Sequence, residues 1–464
     1  MDEEVLLKEF VKKEEESGCY TCCVAGDYVY NIIRADIRRL YIKTNGLEIM
    51  PFTSPLQKRK AILSFFISFW HLLKLSIKRG HIDNIIFPFH RVEKVDNLYI
   101  DKFTDPVIEF SSLKNNCLIF ERSRAGVHCT PRIHAKMVVF TDVFDVFARL
   151  YAILFSRRFG KKYKNQFNRL FEIVNHLVPY SENDRKCAIR KIMEYRALAY
   201  FYRNVYRKLS PKRVLVVPRV AFLPQMVEAK KRGITTIEFQ HGITYGETSV
   251  YSGRRESLFT PDYFFAFGNM PPRNVYGIDE NRIINIGWAF PLLLKKLSTI
   301  CPFSDKDILI ISDPEITDKI VNIVEILAEA NPAYTFHIRP HPMEILQRKH
   351  RIVIDCRKNI LLQDNKINSN VVLNSFIHII GENSTVLYEA LAMGKKVGKL
   401  CYPAFRPKYL NPTDKEAVWE IASQEDFEKY VSESIATRRS LSIYSEFDGK
   451  KIDAVSYTHL RAHE

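Results

Sequence analysis

At 464 residues the chain exceeds one ordinary hydrophobic core, which excludes a single small module and leads to an expectation of two domains, each burying its own interior. Its 69 Lys and Arg against 53 Asp and Glu leave a net charge of +16, which favours nucleotides, anionic glycans, acidic lipid or nucleic acid as partners without choosing among them. Nine cysteines over this length make no disulfide framework, and Cys19, Cys22 and Cys23 lack the second spaced pair of a zinc site.

The opening MDEEVLLKEFVKKEEES is acidic and has no apolar signal core, so a cytoplasmic location is expected. The first sixty residues mix aromatic and basic side chains (DYVYNIIRADIRRLYI) and read as helical. Ala61 to Ile77 is the long apolar run, interrupted by His71 and Lys74 and flanked by Lys58, Arg59, Lys60, Lys78 and Arg79. It is shorter than the roughly 20 residues of a spanning helix, and a core helix of the first domain is the preferred reading. The other reading is an interfacial helix whose basic flanks meet anionic headgroups. Asp142 to Phe155, followed by Arg157, Arg158, Lys161, Lys162 and Lys164, repeats the pairing, so peripheral contact with an anionic membrane at its inner face stands as a second expectation.

Short apolar bursts at Asn84–Phe87, Cys117–Phe120 and Met137–Phe140 have strand length, and a basic helical pattern runs from Phe144 to Leu209. From Arg213 the signal is a βαβ unit: RVLVV as a strand, Leu223 to Lys231 as a helix stopped by Gly233, and TTIEF as the next strand. Strands at Asp262–Phe267 and Arg282–Ile286 follow, then a linker over Leu292 to Asp305. A second alternation comprises strand DILII at Asp307, helix Thr317–Ala330, strand Tyr334–Ile338, a short strand Ile352–Ile354, strand Ile377–Ile380, helix Val386–Met393 and strand Lys396–Leu400. Such alternation indicates parallel sheets covered on both faces, and two such units facing one another leave a cleft. The last ten residues, VSYTHLRAHE (455–464), resemble a translated sequencing-adaptor read-through and are set aside from the fold.

Three segments carry chemistry, each where an apolar strand runs out into a turn: EFQHG (Glu238–Gly242), HIRPHP (His337–Pro342) and GENSTVLYEALAMGKK (Gly381–Lys396). In the third, Asn383 or Ser384 can cap a short helix. Its free N–H groups and the Ser384 and Thr385 hydroxyls suit a phosphate, and Glu389, farther along, can accept bonds from ribose hydroxyls. Glu382 stands just before the cap. His337, Arg339 and His341 alternate at strand spacing and suit a diphosphate. His241, in a turn loosened by Gly242 beside Gln240 and Glu238, can act as a general base or bind a phosphate, with Glu238 a candidate to orient its ring.

Together these segments resemble GT-B glycosyltransferases and glycerophosphotransferases that build bacterial capsules, lipopolysaccharide and teichoic acids, a group that also includes polysialyltransferase-like enzymes. The resemblance implies an α/β, GT-B fold of two Rossmann-like domains facing across a cleft, with a helix-rich N-terminal part. Residues 1–291 would form the acceptor side and 292–454 the nucleotide-donor side. It further implies His241 as base or acceptor-side residue, phosphate contacts from His341, Ser384 and Thr385, and ribose contact from Glu389. Departures limit it: Glu382 and Glu389 are separated by six residues, one fewer than in the paired-glutamate motif of retaining enzymes. The acidic first-domain motif of sialic acid and Kdo polymerases is replaced by Gln240, His241 and Gly242.

The expected activity is metal-independent, inverting transfer of a sugar from a nucleotide sugar to a surface glycan or lipid-linked glycan, with no cofactor beyond the activated donor. A CDP-polyol phosphotransferase, a non-hydrolysing nucleotide-sugar epimerase and a non-catalytic binding protein are the rivals. Nucleic acid is excluded as a partner because aromatic residues are not interleaved in a basic stacking platform.

Overall fold

The computed structural model describes residues 3–46, 57–77, 80–89, 92–242, 251–254, 258–268, 277–297, 302–314, 316–341, 344, 346–364, 367–382, 384–403, 405, 415–434 and 443–461. Asn383 and Pro342 lie outside them.

The chain opens with α1 (Glu3–Ser17), a hairpin of β1 (Cys23–Val24) and β2 (Asp27–Tyr28), α2 (Tyr30–Thr44) and α3 (Lys58–Ile77). Then come β3 (Asn84–Phe87), the hairpin β4 (Glu93–Val95) and β5 (Leu98–Ile100), α4 (Asp105–Glu109), β6 (Cys117–Glu121) and β7 (Val138–Phe140). Three long helices follow: α5 (Asp142–Lys162), α6 (Lys164–Leu177) and α7 (Glu182–Leu209). A capping box of Ser181 with Asp184 starts α7 by satisfying its first free N–H groups. The chain continues through β8 (Arg213–Val216), α8 (Leu223–Lys230), β9 (Thr235–Phe239), β10 (Tyr263–Ala266) and β11 (Ile283–Asn285).

Among the described residues these strands form a seven-stranded sheet in the order β11-β10-β9-β8-β3-β6-β7, every neighbour parallel. After α9 (Phe290–Leu297), the second half runs β12 (Asp307–Ile311), α10 (Thr317–Ala330), β13 (Thr335–Arg339), α11 (Arg348–Cys356), β14 (Ile360–Leu362), α12 (Ser369–Ser375), β15 (His378–Gly381), α13 (Thr385–Ala392), β16 (Lys396–Leu400), β17 (Trp419–Ile421) and α14 (Gln424–Ser432). Its described strands form a parallel six-stranded sheet, β14-β13-β12-β15-β16-β17. Counted from each sheet's first strand, both orders contain 3-2-1-4-5-6, the doubly wound arrangement. Two such sheets with a helix-rich N-terminal part make the GT-B-like α/β fold expected from the sequence. Each sheet reverses its winding at one crevice, between β3 and β8 in the first and between β12 and β15 in the second, where strand C-termini leave room for a ligand.

The structure departs from the sequence reading in four places. The apolar triplet Ile352–Ile354 lies inside α11, where His350 and Ile354, one turn apart, are the buried pair; the edge strand is Ile360–Leu362 instead. The expected linker contains most of α9, whose Leu293 and Leu294 are fully buried. Helix α3 is not a core helix: its buried residues are Ser64, Ser68 and Leu75, while most of its large apolar side chains, among them Leu63, Phe66, Phe69 and Trp70, are exposed.

The fourth departure concerns the boundary at 454. Residues 443–454, assigned to the second half, return to the first, with Tyr444, Ile452 and, from the segment set aside, Val455 in one core cluster with Phe267 and Trp288. Ser445 donates its N–H to the Phe267 carbonyl (2.8 Å) and accepts from Trp288 N–H (3.1 Å). Gly287, at φ +78°, permits this approach: a Cβ there would stand 2.1 Å from the Glu446 carbonyl oxygen. Helix α15 (Lys450–Arg461) ends the described chain and includes residues set aside as a non-native tail.

Candidate functional site

Strand β9 is buried along its whole length and delivers Gln240 and His241 to the sheet's C-terminal edge. Gln240 fixes the turn: its Nε2 donates to the Gly242 carbonyl (2.9 Å) and its Oε1 accepts Phe267 N–H (2.9 Å). The His241 ring sits in an aromatic enclosure of Phe89, Phe103 and Tyr251, at centroid distances of 5.6, 6.4 and 5.3 Å. Tyr251 Oη lies 2.5 Å from Nδ1 and also accepts the His241 backbone N–H at 3.2 Å. Burial pushes the imidazole down to about 4, so it is neutral near pH 7. With Nδ1–H donating to Tyr251, the Nε2 lone pair is open to a substrate proton. In the other tautomer Nε2–H is a donor suited to a phosphate oxygen.

Glu238 does not reach this ring. Its wholly buried carboxylate turns to Arg219, accepting the Arg219 backbone N–H (2.8 Å) and lying 3.5 Å from the guanidinium Nε. Arg219 in turn donates to the Tyr251 carbonyl (3.1 Å). Glu238 is therefore linked to His241 only by way of Arg219 and Tyr251, which corrects the expectation of direct contact with the ring. The physical reason is strand parity, which directs Glu238 into the interior beside the β8 turn.

Burial raises the Glu238 carboxyl to about 7 even though Arg219 pulls it down. A raised carboxyl binds its proton more tightly in the folded state. Its stability contribution is thus full below the ordinary value of 4.5 and is lost as pH rises through about 7. Glu238→Gln should flatten this loss, so urea denaturation at about pH 5 and about pH 8 should show a smaller difference in the variant than in the parent. An unchanged difference would contradict the assignment.

The HIRPHP segment divides. His337 is buried with both ring nitrogens engaged, Nε2 to Asp307 Oδ1 (2.7 Å) and Nδ1 to Gln363 Nε2 (2.8 Å), between Phe303 and Phe376. Arg339 is buried and donates to the backbone carbonyls of Asp364 (3.1 Å) and Ile367. Neither is presented to a donor phosphate; both fasten the turn after β14 to β13, which corrects their expected role. His337→Ala should cost about 2–4 kcal/mol of unfolding free energy through a cavity and two lost partners, with nucleotide affinity of the folded protein unchanged. Chemical denaturation and calorimetry read the two effects separately.

His341 alone of the three is exposed, just past the C-terminal end of β13. Its backbone N–H donates to Glu344 (2.8 Å), whose other oxygen accepts from Ser312 and Thr317 (2.7 Å each). Glu344, absent from the sequence reading, ties this turn to the end of β12.

Across the reversal crevice, Ser384 caps α13 by accepting Val386 N–H (3.3 Å), and Thr385 is exposed at the first helical position. Glu382 is half-buried at the end of β15. One turn inside the helix, Glu389 forms an ion pair with Lys102 from the first half (3.1 Å), and Lys102 also reaches Glu93 (3.7 Å). Asn368, before α12, donates to Glu93 at 2.7 Å. The Lys102 ammonium lies 5.4 Å over Phe103, one wall of the His241 enclosure. Tyr388 of α13 belongs to the same core cluster as Phe103 and Phe267. The edge bearing His241 and the start of α13 therefore meet in one neighbourhood. Sequence reasoning missed Lys102, Phe103, Arg219 and Tyr251. Arg219 was open to it, since it lies three residues past the end of β8, the strand that borders the first sheet's reversal.

No family model and no curated protein matches the chain. Among solved structures, the UDP-GlcNAc 2-epimerase from Methanocaldococcus jannaschii superposes with a TM-score of 0.47 at 13% identity, over 81% of this chain and 99% of its own. The Neisseria meningitidis UDP-GlcNAc 2-epimerase bound to UDP-GlcNAc gives 0.42 at 14%, over 82% and 99%. TarM gives 0.34 at 13%, over 57% and 58%. Likeness at this level assigns no activity; the fold description rests on the strand orders.

Proposed function

We propose that this chain is a glycosyltransferase that moves a sugar from a nucleotide donor to a surface glycan acceptor. The observation that carries the reading is the Lys102–Glu389 ion pair, which joins the aromatic enclosure of His241 to the capped helix at the second sheet's reversal crevice. In this reading the donor diphosphate lies at the start of α13, held by its N–H groups and by Ser384, Thr385 and His341. Glu389 exchanges part of its bond with Lys102 for the ribose hydroxyls.

The acceptor hydroxyl approaches His241 from the cleft. Its oxygen forms a bond to the anomeric carbon as the bond to the phosphate oxygen breaks, the pair leaving on the diphosphate and the proton passing to Nε2. The configuration inverts. A neutral imidazole held near 4 is a weak base, and negative charge developing on the departing diphosphate favours the imidazolium as it forms. Tyr251 holds the ring throughout, and Arg219 and Glu238 hold Tyr251.

The test is a thermal-shift panel with CMP, CDP, UDP, GDP, their sugars and CDP-glycerol. Stabilisation by one nucleoside diphosphate and its sugar supports the reading and names the base. Stabilisation by CDP-glycerol alone would move the assignment to polyol phosphate transfer, and no response to any nucleotide would overturn it.

A further inference from the structure

Two helices that take no part in the cleft expose an apolar surface. On α3, Leu63, Phe66, Trp70 and Ile77 fall on one stripe, with Phe66 62% and Trp70 54% exposed. On α5, Phe147, Leu150, Tyr151 and Leu154 repeat at three and four spacing, with Leu154 70% exposed. The helices touch through Phe65 and Phe147, at 6.2 Å between ring centroids. Beyond α5 the surface continues into a groove of about 960 Å³ shared with α7, reaching Tyr200 and Phe201. Contiguous apolar area on this scale marks an interaction face.

The opposite stripe of α3 is fixed to the first sheet. Ser64 Oγ donates to Asp142 (3.0 Å), Ser68 Oγ donates to the Phe140 carbonyl (2.8 Å), and Phe140 N–H donates to His71 Nδ1 (3.1 Å). The helix is long and apolar enough to cross a membrane, yet these polar contacts along its length hold it flat against the edge strand β7.

Along α3 and along α5 past Asp145 the flanking charges have one sign. Residues 58–77 contain no Asp or Glu, and α5 has none after Asp145. Lys58, Arg59, Lys60 and Lys74 on α3, and Arg157, Arg158, Lys161 and Lys162 on α5, are exposed. A second copy of the chain docked here about a two-fold axis would bring these like charges together. A bilayer with acidic headgroups supplies the opposite charge to the rim and hydrocarbon to the stripe.

We propose that the joined faces of α3 and α5 seat the protein on an anionic bilayer surface, with the helices lying in the interfacial plane. The proposal stands apart from the donor reading, since its test uses no substrate. The chain has three tryptophans, and Trp288 and Trp419 are buried, so Trp70 reports on this face.

The full-length protein should float with phosphatidylglycerol-containing vesicles and show a blue-shifted tryptophan emission, and bind pure phosphatidylcholine vesicles far less. Phe66→Ser combined with Leu154→Ser should reduce vesicle binding by about tenfold or more without changing the thermal melt, because both side chains are exposed. Arg157→Glu with Arg158→Glu should erase the preference for anionic lipid. The proposal is overturned if the parent protein does not bind anionic vesicles, or if both double variants bind as the parent does. A solution dimer that the Phe66/Leu154 variant dissociates, with no vesicle binding by the parent, would also overturn it in favour of self-association.

Discussion

His241→Ala should lower turnover by roughly a hundred- to ten-thousand-fold while nucleotide affinity stays near that of the parent, the range expected for loss of a general base. The geometry makes the effect specific. The ring is held by Tyr251, walled by Phe89 and Phe103 and kept neutral by burial, on a turn separate from the helix assigned to the donor. Replacing it removes the proton acceptor and leaves α13 and its cap intact. Tyr251→Phe should fall between parent and His241→Ala, because the ring keeps its enclosure but loses the partner of Nδ1. Steady-state rates beside calorimetric binding separate the two quantities. If His241→Ala weakened nucleotide binding as much as turnover, the ring would be a phosphate ligand in its Nε2–H tautomer.

The second large effect is expected at Glu389. Glu389→Ala should weaken nucleotide binding by about tenfold or more, since a charged hydrogen-bond partner contributes about 1.5–3 kcal/mol. Lys102→Met provides the comparison. It removes the ion pair across the cleft but keeps the carboxylate free for ribose hydroxyls. If Glu389 serves only to clamp the two halves, the two variants will match in affinity. The ribose assignment requires Glu389→Ala to be the weaker binder, and isothermal titration with the nucleotide identified by the stability panel decides between them.

Both expectations rest on features that were unequally visible in the sequence. Strands such as DILII and TTIEF were legible because they are continuous apolar runs of strand length, as buried parallel strands are. The Ser384 cap was legible because capping is a local matter of residue type.

His337 and Arg339 misled because residue type does not reveal what a side chain faces. Asp307, thirty positions away, and Gln363 occupy both ring nitrogens of His337, and the carbonyls of Asp364 and Ile367 turn Arg339 inward. Strand spacing gave their side, but the fold decided that this side was interior. Lys102 was invisible for the opposite reason. YIDKF carries no pattern that points to chemistry, and its partner is 287 positions later. The apolar run at α3 read as core because hydrophobicity is ordinarily buried. Only the structure reveals that two serines and a histidine take the inner stripe and leave the phenylalanines and Trp70 outside.

The glycosyl-transfer account meets its most direct test in product analysis of the purified protein with a nucleotide sugar, with and without a glycan acceptor. The account predicts release of the nucleoside diphosphate and an inverted glycosidic linkage on the acceptor, with the donor unchanged when acceptor is left out. A donor sugar epimerised in the absence of any acceptor would contradict it.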